Sequence, residues 1–120
     1  VGELMHGGDA IPVIPSDAPM SEVLLAMTSK GFGLGVLVED GRISGVITDG
    51  DLRRNMDGLM ARRAGEIANP DPVTVTADCL APEALAILNA RKVSVLLVAD
   101  DENRPVGVLH IHDLLRAGVV

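Results

Sequence analysis

Aromatic side chains are almost missing from this 120-residue chain: Phe32 stands alone, with no tyrosine and no tryptophan. An interior without large rings must be built from closely packed Val, Leu, Ile, Ala and Met, which suits helices lying on β-sheet. The same lack removes the usual stacking platforms for single-stranded nucleic acid. Basic residues are also scarce, 10 against 17 acidic, for a net charge of −7. Nonspecific nucleic-acid binding is thereby excluded, because it needs a basic surface to neutralise phosphates. Cysteine occurs once, at Cys79 between Asp78 and Leu80, so there is no internal disulfide. With no cation beside it to lower its pKa, the thiol reads as structural and fits a reducing cytoplasm. No apolar run approaches the ~18 residues of a membrane span, and no basic-then-apolar signal pattern opens the chain. The expectation is a cytoplasmic chain with no membrane partner. It starts at Val1 rather than at a methionine, as a piece of a longer protein would.

What is present in quantity is repetition. Gly45-Val46-Ile47-Thr48-Asp49-Gly50-Asp51-Leu52-Arg53-Arg54 returns as Gly107-Val108-Leu109-His110-Ile111-His112-Asp113-Leu114-Leu115-Arg116, with the glycines, Asp51 and Asp113, and Arg54 and Arg116 each 62 positions apart. The opening Val1-Gly2-Glu3-Leu4-Met5 returns as Ala64-Gly65-Glu66-Ile67-Ala68, so the repeat runs from the first residue. We divide the chain into 1–63, with 57–63 as linker, and 64–120. Each half is too short to bury a good core alone, so the two are expected to share one.

Each half reads β-α-β-β-α, an α/β (α+β) architecture. Ile11-Pro12-Val13-Ile14 and Asp71 to Val75 are short extended pieces, in which proline is limited to an edge strand or to a strand's first residue. Met20, Val23, Leu24 and Met27 share one helix face, entered through Ser16 or Asp17 and Pro19. Leu80, Ala84, Leu85 and Leu88 do the same in the second copy, with Asp78 as the expected cap. Gly31 and Gly33 end the first helix. Leu34 to Val38 and Val93 to Val98 read as buried strands, followed by turns at Glu39-Asp40-Gly41-Arg42 and Asp100 to Arg104. Ile43 to Thr48 and Val106 to His110 are the returning strands, and short helices follow at 50–56 and 112–117.

Both halves thus end a strand and turn straight into a helix, a corner expected to leave backbone N–H groups free for an anion. Thr48 offers a hydroxyl to a phosphate, and Asp51 can accept from both hydroxyls of a ribose. The plain alternative gives Asp51 to the helix dipole and Thr48 to the strand, with Asp49 as the better cap. Arg53 and Arg54 suit a phosphate or carboxylate, and cations in a first helical turn are locally unfavourable, which points to use. His110 stands where Thr48 stands in the first copy. His110 and His112 lie two apart, on one face if the backbone is extended, but two histidines lack a third metal ligand unless His6 or Asp9 supplies it. A ligand contact through an imidazolium, weakening as pH rises, is the alternative use. An enzymatic reading of His110, His112, Asp49 and Asp51 as acids and bases has no nucleophile or glycine-rich phosphate loop to go with it.

Gly45, Thr48 and Asp51 carry the Gly-x-x-Thr-x-x-Asp pattern that ends each unit of a tandem CBS pair, and the second copy keeps Gly107 and Asp113. Thr-Asp-Gly-Asp-Leu-Arg-Arg at 48–54, His6 with Gly8-Asp9-Ala10-Ile11-Pro12, and Leu109-His110-Ile111-His112-Asp113-Leu114-Leu115 together resemble the C-terminal CBS pair of the arabinose-5-phosphate isomerase family, across essentially the whole chain. The resemblance implies a tandem CBS pair, two β-α-β-β-α units with pseudo-two-fold symmetry. It implies that a sugar-isomerase (SIS) domain making arabinose 5-phosphate for Kdo and lipopolysaccharide synthesis is the partner within a longer chain, and that this stretch is not itself an enzyme.

The resemblance further implies a nucleotide or nucleotide-sugar ligand, such as an adenine nucleotide or CMP-Kdo. It would lie where the copies meet, against Ile11, Pro12 and Val13, with Thr48, Asp49, Asp51, Arg53, Arg54, His110, His112 and Asp113 around it. No cofactor and no metal are expected. Pairing with a second CBS pair into a homodimer is expected too, and a purely structural, dimerising role without any ligand is the alternative.

Overall fold

The computed structural model describes residues 1–118. The chain divides into two compact units: Ile11–Pro72, and Val1–Ala10 together with the chain from Val73 onward. Each holds one three-stranded sheet.

In the unit 11–72, β1 (Val13–Ile14) runs parallel to β2 (Leu34–Glu39), which pairs antiparallel with β3 (Arg42–Thr48). The edge position of β1 is the one its preceding proline allows. Asp40 and Gly41 turn β2 into β3, both with positive φ, the type I′ geometry that matches strand twist. Between β1 and β2, α1 (Met20–Lys30) buries Met20, Val23 and Met27 on one face and stops at Gly31, whose φ of 75° gives the left-handed cap. Those side chains pack with Ile14, Leu37 and Ile47 in one apolar cluster, each fully buried residue contributing roughly 1.5–3 kcal/mol. After β3 come α2 (Asp49–Arg54), a 3-10 turn at Leu59–Ala61 and α3 (Ala64–Ile67). The stretch expected as bare linker is therefore partly ordered core, with Leu59 buried against α1's cluster.

The other unit repeats the plan: β4 (Thr74–Val75) parallel to β5 (Val95–Ala99), then antiparallel β6 (Pro105–His110), with α4 (Ala81–Arg91) before β5 and α5 (Ile111–Arg116) after β6. Its core is Val75, Ala84, Leu88, Leu96, Val98, Leu109 and Leu114. Asp100 closes the β5–β6 turn by accepting from the backbone N–H of Glu102 and of Arg104.

Three local expectations are corrected. Pro19 and Leu80 occupy the N-cap positions of α1 and α4, with no capping side chain at either. Ser16 Oγ instead donates to Glu39, and Asp78 accepts from Thr76. Strand β5 begins at Val95 rather than Val93, which is 40% exposed, because Lys92 is in the left-handed region and turns the chain there.

The repeated opening motif explains the division into units. Val1–Met5 leads His6 to the edge of β6, where His6 and Val108 exchange two backbone hydrogen bonds of 2.8 Å. Ala64–Ile67 leads Asn69 to the edge of β3, where Asn69 and Val46 do the same. The first copy's opening segment thus serves β6, near the far end of the chain, and the second copy's serves β3, shortly before it. The motif glycines lie beneath these crossings: a Cβ on Gly45 would come within 3.0 Å of Asn69 O, and one on Gly107 within 2.5 Å of Met5 Sδ and 3.1 Å of His6 O.

Candidate functional site: two capped corners

The first corner is built by Thr48, the last residue of β3. Thr48 is the N-cap of α2, not Asp49: its Oγ1 accepts from Asp51 N at 3.3 Å, while Asp51 Oδ2 accepts from Thr48 N at 2.9 Å and from Thr48 Oγ1 at 3.1 Å. This is a reciprocal capping box. Asp49 is the first helical residue, and its N–H donates to Gly33 O. The N–H groups of Thr48, Asp49 and Asp51 are therefore all engaged internally, and the expected cradle of free amides is not what this corner presents. Arg54 Nη2 reaches Asp51 Oδ1 at 2.5 Å, whereas Arg53 is exposed. The helix ends at Arg54, so both arginines lie in its last turn, where positive charge is favourable; the anticipated mismatch vanishes.

Register places the other expected contacts nearby. Leu34 pairs with Thr48 on one side of β2, and Pro12 O accepts from Val36 N on the other, so Ile11 and Pro12 share with Thr48 the end of the sheet where β2 starts. Ile11 and Pro12 are buried and Val13 is half exposed. A cavity of about 300 Å³ opens between the end of α1 and α2, lined by Met27, Thr28, Gly33, Asp49 and Leu52 among others.

The second corner keeps the plan with different atoms. His110 is the N-cap of α5 and its Nδ1 accepts from His112 N at 3.1 Å; Asp113 Oδ2 accepts from His110 N at 2.9 Å, and Ile111 N donates to Ser94 O. An accepting Nδ1 is unprotonated, and burial, followed by the neighbouring His112, holds the His110 pKa below its ordinary value. The imidazolium contact expected here is thus corrected to a neutral imidazole cap. His112 lies in the helix rather than on an extended strand. The two rings are 4.4 Å apart at their centroids and tilted by 49°, and among the described residues no group of three or more His, Cys, Asp or Glu is placed to hold a metal.

Asp113 is the one buried charged residue among those described, 6% exposed. Its Oδ1 accepts from Arg116 Nη2 at 2.5 Å and from His6 Nε2 at 2.9 Å. Burial pushes its pKa up, but the His6 ring, the His110 N–H and Arg116 outweigh that and hold the carboxyl below the usual range. His6 and Arg116 are contacts of the second corner that the sequence-based set lacked. The offset of 62 from Arg54 signals Arg116, but nothing local signals His6, which is 107 positions from its partner.

Away from the corners, Cys79 is half buried, and burial with Glu83 nearby raises its pKa. It lines a wide acidic depression of about 670 Å³ with Asp78, Glu83, Asp100 and Asp101. No helix among the described residues is long and apolar enough to cross a membrane.

Two β-α-β-β-α repeats, each closing its last strand with a Thr/His–Asp–Arg corner, define a tandem α/β repeat module. The chain belongs to the CBS-domain family, whose profile matches residues 1–58 and 64–120. It is 40% identical over 124 aligned residues to arabinose 5-phosphate isomerase KdsD of Pseudomonas aeruginosa, and 41% to that of Escherichia coli strain K12. In both cases all of this chain is covered but only 38% of the relative's length. Among solved structures, the CBS domain pair of protein MJ0100 in complex with methylthioadenosine and S-adenosyl-L-methionine is similar at a TM-score of 0.87, with 18% identity over 99% of this chain and 94% of that one. CBSX2 in complex with AMP is similar at a TM-score of 0.84, with 20% identity over 98% of this chain and 94% of that one. At those identities the likeness shows the fold.

Proposed function

We propose that this chain is the regulatory CBS part of a longer arabinose 5-phosphate isomerase, and that its corners take a nucleotide or nucleotide sugar, either an adenine nucleotide or an end product such as CMP-Kdo. The observation that carries this is the full-length match to KdsD proteins of which the chain spans only 38%. Catalysis then belongs to the sugar-isomerase domain that makes up the rest, and this chain supplies cytoplasmic feedback on Kdo and lipopolysaccharide synthesis.

The first corner supports the ligand class. Asp51 Oδ2 is fixed by the cap, whereas among the described residues the partner of Oδ1 is Arg54, whose side chain is 69% exposed. The two hydroxyls of a ribose can replace that guanidinium, and the released Arg54 is then free to meet a phosphate bidentately. Val13, 53% exposed beside the buried Ile11 and Pro12, gives the base an apolar contact. Asp113, with His110 and His112, is the corresponding acceptor in the second corner, and Asp49 and Arg53 flank the first.

Calorimetry with AMP, ATP, CMP and CMP-Kdo tests the reading. One of them should bind, and Asp51→Ala should weaken it while sparing a 2′,3′-dideoxy analogue; no binding by any of the four refutes the nucleotide class. The purified chain should not convert ribulose 5-phosphate, and turnover above background would refute the division of labour. A dimerising role without ligand is favoured by Leu25, Met56 and Met60, which expose 62–71% of their surfaces within one unit. Light scattering that finds dimer for the wild type and monomer for Met56→Lys/Met60→Lys, with no ligand bound, would select it.

A further inference from the structure

The duplicated chain provides its own comparison. Both sheets accept an edge segment from an opening motif, through His6 on Val108 and Asn69 on Val46. Both corners carry an aspartate held by the arginine three residues on, at 2.5 Å. The edge side chains behave differently. Asn69 Oδ1 accepts from Asp71 N within its own turn, and among the described residues no hydrogen bond joins the Asn69 side chain to Asp51. His6 Nε2 instead reaches Asp113 Oδ1 at 2.9 Å. The Asp51 side chain is 15% exposed and that of Asp113 only 5%. The first corner is therefore open and the second is closed by a residue from the chain's N-terminal segment.

We propose that His6 is a positioning residue that latches the segment Val1–Ala10 to the second corner through Asp113, so that a ligand whose hydroxyls take Asp113 must release that segment. The ligand half of this statement rests on the proposed nucleotide function; the latch half does not. Three donors converge on the Asp113 carboxylate: His6 Nε2, Arg116 Nη2 and the His110 N–H. A diol needs Oδ1, because Oδ2 belongs to the cap, and of the two groups on Oδ1 only His6 comes from outside α5. Displacing Arg116 alone moves one exposed side chain. Displacing His6 loosens the hydrogen-bonded edge at Val108 and, with it, the stretch of chain through which anything N-terminal to Val1 would be connected.

The test uses the 120-residue chain as wild type, His6→Asn, which installs the residue of the other copy, and His6→Gln, whose amide nitrogen reaches about as far as Nε2. Hydrogen exchange is read at residues 2–10 and, as the internal control, at 64–69; AMP affinity is read by calorimetry. Without ligand, His6→Asn should raise exchange at 2–10 by roughly ten- to hundredfold, as expected for losing a hydrogen bond to a charged group, leave 64–69 unchanged, and be restored by His6→Gln. Saturating AMP should speed exchange at 2–10 in the wild type, and His6→Asn should bind AMP more tightly because the latch no longer competes. Unchanged exchange in His6→Asn overturns the latch. AMP that binds without touching exchange at 2–10, or equal affinity in wild type and His6→Asn, overturns the coupling. If AMP does not bind at all, the coupling to AMP fails with the adenine reading, and the exchange of the two variants still decides the latch.

Discussion

Gly45→Ala and Gly107→Ala add the same methyl group to equivalent positions, yet they should be felt differently. At Gly45 the new carbon would lie 3.0 Å from Asn69 O and 3.1 Å from the Ala68 Cβ. Both belong to a backbone pinned by the paired bonds between Asn69 and Val46, so the crossing must shift as a body. Overpacking of this kind costs about 1–3 kcal/mol, partly offset by the roughly 0.4–1 kcal/mol that replacing glycine removes from the unfolded chain's freedom. The midpoints of the two ranges give a net loss of about 1.3 kcal/mol. At Gly107 the tightest clash, 2.5 Å, is with Met5 Sδ, near the end of a flexible side chain, and the backbone contact with His6 O is 3.1 Å. Met5 can turn aside where Ala68 cannot. Shortening it with Met5→Ala should therefore reduce the cost of Gly107→Ala, giving a coupling of about 0.5–3 kcal/mol in a double-mutant cycle, and should leave the cost of Gly45→Ala unchanged. Urea unfolding of the wild type, the three single variants and the two double variants measures both quantities. A neutral Gly45→Ala, or equal relief at both glycines from Met5→Ala, would refute the crossing as the reason for these glycines.

Further outcomes follow from the corners. Thr48→Val removes the capping hydroxyl and should lower stability by about 0.5–2 kcal/mol, whereas Asp49→Ala, no longer to be regarded as the cap, should cost clearly less; thermal unfolding separates them. The pKa of His110 is depressed in the fold, so below the ordinary histidine value near 6.5 the unfolded chain binds more protons and stability falls with acidification. His110→Thr should flatten that part of the stability profile when unfolding is followed from pH 7 to pH 5. Asp113 is also depressed. Its contribution is present above the ordinary aspartate value near 3.9 and is lost as pH falls through the folded one, so Asp113→Asn should remove a distinct acid-side decline.

Much of this was legible because duplication doubles every signal. The 62-residue offset located both corners, and the spacing of Met20, Val23 and Met27 located a helix that indeed buries those three. What periodicity does not encode is pairing. The similarity of Val1–Met5 to Ala64–Ala68 announced a second copy of the motif, but not which sheet edge either would join, since His6–Val108 and Asn69–Val46 are contacts between distant parts of the chain. Capping is ambiguous in the sequence for a related reason. Thr48 and Asp49 are both good N-caps by composition, and only the end of β3 decides which is still extended: Thr48 has φ −112° and ψ 166°. His6 was visible as part of a resemblance and as a hypothetical metal ligand, and its partner became visible only in three dimensions.

The division of the chain has a consequence for the order in which a ribosome could complete it. Residues 11–72 form one unit without interruption, so every contact of that unit is available once Pro72 has cleared the exit tunnel, including the Asn69 bridge that finishes its sheet. The other unit needs Val1–Ala10, made before residues 11–72, and the residues from Val73 on, made after them. During synthesis the opening segment, with Leu4 and Met5, must wait through more than ninety further residues for β6. Closing so long a loop costs conformational entropy and slows the pairing, so Val1–Ala10 finds its place only after the unit that follows it in the chain can already be complete.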